Sequence, residues 1–255
     1  MTLVTLTSDL GEQDYYAGAL KGAILQQCPT AQLVDITHAI PSHDIVRGAF
    51  ILKNAFPHFP KGSIHLVNVH NFYAPKRRFL VLQHEGHYFL GPDNGIFSLV
   101  LDRQPEQARV LPDEENGLLS YQQIFAQSIA HLVAGVPLEE LGEPLNGISE
   151  RIHLRPVVSA SQIRGTVVHV DKFENVIVNI TRELFDQVRK GRNFALYFKR
   201  HEPITELSVT YCDVPMGESL CLFNSAGYLE IAIHMGKAAG LLGLGVDDAV
   251  RIDFI

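Results

Sequence analysis

Four short stretches carry side chains able to bind or activate a small polar molecule. Ser8-Asp9-Leu10-Gly11 directly follows a β-branched run, Leu3 to Thr7. A carboxylate just past the carboxyl end of a strand stands where open parallel sheets bind ligands. One aspartate can also accept two hydrogen bonds from a vicinal diol such as a ribose. The plainer alternative is that Asp9 caps its turn, with Gly11 easing the backbone. Gly91-Pro92-Asp93-Asn94-Gly95 reads as a tight turn. Asp171-Lys172-Phe173-Glu174-Asn175 ends a strand; Asp171 suits an ammonium, Asn175 offers both a donor and an acceptor, and a hairpin connection is the alternative. Phe223-Asn224-Ser225-Ala226-Gly227-Tyr228-Leu229-Glu230 reads as strand, turn and strand, with Ser225 open to a carboxylate or a nucleobase. Singly, each stretch is as well explained by a turn.

The elements that must position these groups change character along the chain. In the first half, strand signals at Leu3–Thr7, Gln32–Ile36 and Ile64–Val69 alternate with helical ones at Tyr15–Gln27 and Asp44–Ala55, stopped by Pro29 and Pro57. A hairpin about Glu85-Gly86 joins Phe79–His84 to His87–Leu90, and a further helix is expected from Ser128 to Ala134. Such alternation predicts a mostly parallel sheet covered on both faces. From Ser159 the runs are short and strand-like: Gly165–Val170, Val176–Ile180, Phe194–Phe198, Glu206–Thr210, Ser219–Phe223, Leu229–Ile233 and Ala249–Phe254. They predict a small sandwich or barrel. The expected organisation is therefore an α/β domain over 1–157 and an all-β, barrel-like domain over 158–255.

Composition narrows the function classes. With 255 residues, 46% hydrophobic and 19% charged, the chain is of ordinary globular make-up and long enough for two cores. A net charge of −7 argues against nucleic acid, and Lys76-Arg77-Arg78 is too short a basic run to alter that. Three cysteines without C-x-x-C spacing fit a reducing cytoplasm. The first residues lack the regions of a signal peptide, and no apolar run is long enough for a membrane span. The twelve histidines are scattered and form no H-E-x-x-H or comparable metal motif, so no metal is expected.

Taken in order, the four stretches, with Phe59-Pro60-Lys61-Gly62-Ser63-Ile64-His65 between the first two, resemble one family over essentially the whole chain. It is the S-adenosylmethionine hydroxide adenosyltransferase group, which includes bacterial fluorinases and chlorinases. The resemblance implies an N-terminal α/β domain, a C-terminal barrel-like domain and a homotrimer with sites between subunits. By position, Asp9 looks like the carboxylate that grips the ribose hydroxyls. Asp171 and Asn175 look like the groups at the methionine amino end, and Ser225 like part of its carboxylate site. Tyr211 is expected near the adenine, with the backbone at Met235 reading its edge; Tyr16 and His43 fall where other members line the pocket.

The chain departs from the family where chemistry is expected. Hydrolytic members carry Val-Asp-Pro-Gly-Val-Gly after the third strand and an Arg seven residues beyond the Asp. Here the stretch is Val69-His70-Asn71-Phe72-Tyr73-Ala74-Pro75-Lys76-Arg77, so His70 replaces the Asp and Arg77 is kept. Where those members have His-Gly-Arg-Asp-Ile-Phe-Ala-Pro, this chain reads Ser120-Tyr121-Gln122-Gln123-Ile124-Phe125-Ala126-Gln127, with Ser120 in place of the His. The halide-using members carry a Tyr at the Asp position, which this chain lacks. The family reaction is displacement at the ribose 5'-carbon with methionine leaving, and it needs a positioned water. An imidazole titrates near working pH, so His70 is a candidate base, with Arg77 for polarity and Ser120 to orient the water. A loop histidine in a bulkier segment is the competing reading for His70. The expectation is a hydrolase forming adenosine and L-methionine without a cofactor; a non-catalytic adenosyl-ligand binder, or a lyase with another nucleophile, are the alternatives.

Overall fold

Strand β1 (Leu3–Ser8), buried from Val4 onward, lies inside the first sheet. The computed structural model describes residues 2–72, 77–112, 120–152 and 154–255. It divides into two units, Met1–Ile152 and His153–Ile255.

In the first unit β1 is followed by α1 (Tyr16–Gln27), β2 (Gln32–Thr37), α2 (Ile45–Ala55) and β3 (Ile64–Asn68). Both β2 and β3 pair parallel with β1, from opposite sides. The chain thus steps to one side of β1 and then to the other, which creates a switch point at the carboxyl ends of β1 and β3. The hairpin of β4 (Phe79–His84) and β5 (His87–Pro92) follows, then α3 (Ile96–Val100), β6 (Gln107–Val110), α4 (Tyr121–Val133) and the two-residue β7 (Glu143–Pro144). The order β2-β1-β3-β5-β4-β6-β7 is parallel as far as β5 and antiparallel beyond it.

Each face of this sheet has its own core. Leu20 and Ile24 of α1 and Ile124, Phe125 and Ile129 of α4 pack with Leu6, Leu66 and Leu90. Ile45, Ala49 and Leu52 of α2 and Ile96, Phe97 and Val100 of α3 pack with Val67, Leu82 and Phe89. The i, i+3, i+7 placement of Ala17, Leu20 and Ile24 is what makes α1 a covering helix. Burying one such leucine or isoleucine fully stabilises the unit by about 1.5–3 kcal/mol. Asp44 starts α2 by accepting the Arg47 N–H at 2.9 Å. Gly91 belongs to β5, not to the turn, and a Cβ there would sit 2.5 Å from the Val67 carbonyl oxygen. The fourth helix begins at Tyr121, seven residues before the expected Ser128. Ser120 caps it, and the side chain of Gln123 bonds back to the Ser120 N–H.

The second unit is antiparallel. Strands β8 (Val157–Val158), β9 (Gln162–Val170), β10 (Val176–Thr181), β11 (Phe194–Phe198), β12 (Ser219–Phe223), β13 (Tyr228–Ile233) and β14 (Ala249–Phe254) form the path β11-β14-β9-β10-β13-β12, with β8 on β9. Its main core includes Ile163, Val178, Leu196, Ile231 and Ile252, and Leu220, Leu222 and Ala232 form a smaller separate cluster. Two short helices join it, α5 (Arg182–Arg189), capped by Thr181, and α6 (Ala238–Leu242). The expected strand at Glu206–Thr210 does not form. Only Leu207 bridges to Cys221, Val209 is 87% exposed, and Thr210 instead caps a single turn over Tyr211–Asp213. A stretch with one cross-strand partner cannot complete a ladder. Among the described residues no helix is long and apolar enough to cross a membrane.

Candidate functional site

The switch point of the first unit carries the first candidate group. Asp9 follows β1, and its Oδ2 accepts two backbone N–H groups, from His43 at 2.9 Å and His70 at 3.1 Å. Both histidines have left-handed backbone, with φ of 67° and 52°. Non-glycine residues there cost energy, and such strain gathers where a structure must aim particular groups. Among the described residues Asp9 Oδ1 carries no hydrogen bond, so it is the oxygen left for a ligand hydroxyl. The His43 and His70 rings meet edge to face with centroids 4.6 Å apart. His43 is open to solvent, whereas His70 Nδ1 is shielded and has no hydrogen-bond partner among the described residues. Tyr16 is half-exposed at the start of α1, its ring 4.5 Å from that of Tyr15.

The loop bearing Asp9 is braced from below. Ser8 Oγ lies 2.6 Å from His38 Nδ1, His38 Nε2 lies 3.2 Å from Asp35 Oδ1, and Lys21 holds Asp35 Oδ2 at 2.5 Å. The order Ser, His, Asp suggests a nucleophile triad, but Ser8 is only 1% exposed, so no substrate carbon reaches it. Burial pushes the Asp35 carboxyl up, yet the hydrogen bonds from Lys21 and His38 hold it below the usual carboxylate range. The His38 carbonyl also accepts the Gly11 N–H at 2.8 Å.

Asp93 and Asn94 turn out to be structural. Asn94 Nδ2 donates to the carbonyls of Val69 at 2.9 Å and His70 at 3.2 Å, fixing the end of β3. Buried Asp93 pairs with Arg78 and accepts the Ser149 N–H at 2.8 Å. Arg77, the retained arginine, lies over the Phe79 ring at 5.8 Å. Ser120 Oγ accepts the Gln123 N–H at 3.3 Å as the cap of α4, which leaves its own O–H proton to donate. Phe72 is exposed and its ring meets that of Tyr121; residues 73–76, including Tyr73, lie outside the described residues.

The second unit holds a separate group. Asp171 Oδ1 accepts the N–H groups of Phe173 and Asn175, both at 2.8 Å, and Oδ2 accepts Asn175 Nδ2 at 3.2 Å. The loop is thereby rigid, and it displays Phe173 with 74% of its surface exposed. Tyr211 donates to Glu230 Oε1 at 2.7 Å. Glu230 is buried on β13; burial, and secondarily the charge of Asp171, hold its carboxyl above the usual range. Burial and the bond to Glu230 likewise raise the Tyr211 phenol. Ser225 and Met235 sit on two exposed turns, Met235 with φ of 57°. Sequence reasoning quoted Glu230 only as part of a motif; a carboxylate alternating with Leu229 and Ile231 in a strand was the available signal that it is enclosed. Cys212, beside Tyr211, is exposed, while Cys28 and Cys221 are buried. Among the described residues no three His, Cys, Asp or Glu side chains are grouped to hold a metal ion.

Fold and site together define a protein with a doubly wound α/β unit, a carboxylate aimed from its switch point, and an antiparallel second unit with its own polar group. The SAM hydroxide adenosyltransferase N-terminal domain matches residues 4–142, and the C-terminal domain of the same family matches residues 165–251. The chain belongs to the SAM hydroxide adenosyltransferase family. It is 30% identical to a protein of Thermus thermophilus named (R)-S-adenosyl-L-methionine hydrolase, covering 99% of this chain and 100% of that one. A protein of the same name from Methanocaldococcus jannaschii is 29% identical, covering 99% of this chain and 96% of its own length. The solved structure of an uncharacterized conserved protein from Thermotoga maritima superposes with a TM-score of 0.88 at 29% identity, covering 98% of this chain and 99% of that one.

Proposed function

We propose that this protein hydrolyses S-adenosylmethionine to adenosine and L-methionine. The observation that carries the proposal is Asp9, held at the switch point by two backbone N–H groups on Oδ2, while Oδ1, with no hydrogen bond among the described residues, is left for a ribose hydroxyl. Full-length relatives named (R)-S-adenosyl-L-methionine hydrolase support the choice of substrate.

In this reading water attacks the 5'-carbon as the carbon–sulfur bond breaks, its electron pair going to sulfur. Methionine departs as a neutral thioether, and the new hydroxyl loses one proton. Water and substrate balance the reaction, so no cofactor is called for. His70 takes that proton on Nδ1, which has no hydrogen-bond partner among the described residues. Arg77 keeps the site's polarity and Ser120 donates its free proton toward the water. Tyr16 and His43 line the nucleoside side. In the second unit Asp171 and Asn175 receive the methionine ammonium, Ser225 its carboxylate, and Tyr211 and the Met235 backbone the adenine. A homotrimer in the cytoplasm completes the proposal, and light scattering on the pure protein tests the number of copies.

A protein that binds the adenosyl ligand without turnover is the second reading, favoured by a histidine standing where hydrolytic members carry an aspartate. Incubation with each sulfonium epimer, with and without chloride, followed by chromatography of the nucleosides against a boiled control, separates the two. Equal adenosine and methionine support hydrolysis; unchanged ligand that stays bound supports the second reading. A chlorinated nucleoside formed only with chloride would refute water as the nucleophile.

A further inference from the structure

The outward face of the second sheet sets two arginines directly opposite each other. Strands β11, β14 and β9 run side by side, and their register places Tyr197 opposite Arg251 and Arg251 opposite Arg164. The neighbouring residues Leu196, Ile252 and Ile163 enter the core, so this row points to solvent. Side chains directly opposite on an antiparallel pair have Cβ atoms about 4.5–5.5 Å apart, and like charges placed so repel. The next row of the same face holds Ala249 opposite Thr166, and the short alanine leaves a depression of about 350 Å³. Arg164, Arg251, Lys199 and Tyr197 line it; among the described residues no carboxylate does.

The two guanidinium groups are tethered through one row of neighbours. Arg164 Nε donates to Gln162 Oε1 at 3.1 Å, and Gln162 Nε2 to Asp253 Oδ1 at 2.8 Å. Arg251 Nη2 reaches the other oxygen of that carboxylate at 3.1 Å, so four residues close a ring across β9 and β14. Arg251 also lies over the Tyr197 ring, 4.6 Å from its centroid, and Asp248 holds Lys199 at 2.9 Å. Asp253 balances one guanidinium and Asp248 the lysine, which leaves one positive charge unmatched. Among the described residues no hydrogen bond engages the two Nη groups of Arg164 or Nη1 of Arg251. Arg164 is exposed and 43% of the Arg251 side chain is open to solvent, so a solute reaches both.

We propose that this depression binds the phosphoryl group of a small molecule between Arg164 and Arg251. Each guanidinium offers a planar fork that pairs with two oxygens. A phosphoryl dianion has oxygens enough for both forks, whereas a carboxylate is used up by one. The bound dianion also removes the repulsion that the strand register imposes. The volume is that of the smaller ligand sites, which leaves room beyond the phosphoryl for the group that carries it. One unmatched charge in a chain of net charge −7 does not suit a nucleic-acid backbone. Arg164 stands seven residues before Asp171, about 20 Å along extended chain, so this site is separate from the polar group at the far end of β9. The proposal does not depend on the hydrolase reading.

Titration calorimetry on the full chain at low ionic strength tests this. The probes are inorganic phosphate, pyrophosphate and glycerol 3-phosphate, each against sodium chloride of equal ionic strength. Two charge-assisted contacts should give phosphate a Kd on the order of 1 mM. Arg164→Gln removes the charge of an exposed side chain and should weaken every probe about 10-fold. Arg251→Lys keeps the charge and loses the fork, and should weaken them about threefold or more. Arg103→Gln, which alters an exposed arginine of the first unit, should bind as the parent does. Glycerol 3-phosphate binding tighter than phosphate supports the site with an organic phosphate as its occupant; pyrophosphate binding tightest supports it with an inorganic one. No saturable heat from any probe well above that Kd overturns the site. So does an Arg164→Gln variant that binds all three as tightly as the parent.

Discussion

Acid should destabilise the first unit through one histidine. His65 on β3 has no exposed surface; Thr5 Oγ1 lies 2.7 Å from its Nδ1, and His87 Nδ1 lies 3.1 Å from its Nε2. Phe56, Phe59 and Phe89 ring it. Burial, with His87 as a lesser cause, pushes its pKa down from 6.5 to about 3. In the unfolded chain the imidazole takes a proton near pH 6.5, while the folded protein refuses it until about pH 3. Folding stability from this group is whole above pH 6.5 and is lost as the pH falls below that value. At pH 4.5 the interval is about two units, and about 1.4 kcal/mol per unit gives a loss of about 2–3 kcal/mol. With no tryptophan in the sequence, circular dichroism is the probe: urea titrations at pH 7.5 and 4.5 compare the parent with His65→Gln. Glutamine keeps a donor and an acceptor but does not titrate. The variant should start less stable at pH 7.5 and lose about 2–3 kcal/mol less on acidification. Equal losses in the two proteins would show that His65 carries no such penalty, and the explanation would fail.

Other outcomes follow from the same geometry. Asp9→Asn keeps the shape but removes the charge that faces two N–H groups and a ligand diol; kcat/KM for adenosine formation should fall about 100-fold. Ser120→Ala removes the α4 cap and should cost about 1 kcal/mol in urea titration, with slower turnover as well. Gly91→Ala forces a methyl against the Val67 carbonyl, so the first unit should lose about 1–3 kcal/mol in the same assay. Glu230→Gln bears on pH in the opposite sense to His65. The folded carboxyl titrates above its unfolded value, so the stability it contributes is present at low pH and lost as pH rises past the ordinary carboxylate range. The variant should therefore be more stable than the parent at pH 7.5, with the difference disappearing near pH 4.

Much of the frame was legible because punctuation and periodicity agree. Pro29 and Pro57 close α1 and the turn after α2 where helical spacing runs out, and Glu85-Gly86 marks the hairpin. The S-x-x-Q pattern of Ser120 and Gln123 was a readable start signal for α4, but the apolar spacing drew the helix to Ser128. Thr181–Arg189 was missed because Leu184, Phe185 and Val188 are too few to stand out among flanking strands. Glu206–Thr210 has a strand's composition and lacks the neighbours that make one. Asp9, Asp171 and Asn175 were visible as polar residues at strand ends. The brace from Ser8 to Asp35, the Tyr211–Glu230 bond and the links between Arg164 and Arg251 join residues far apart or hidden in a strand, and only their placement in space reveals them.

The thiol of Cys212 gives this chain a built-in attachment point. It stands one residue from Tyr211 on a turn held by the bonds between Thr210 and Asp213. The other two thiols are enclosed, and burial pushes that of Cys221 up to about 12, where almost none is ionised at neutral pH. A maleimide dye therefore settles at one place per molecule without any engineered residue, and its emission reports what arrives at that edge of the second unit.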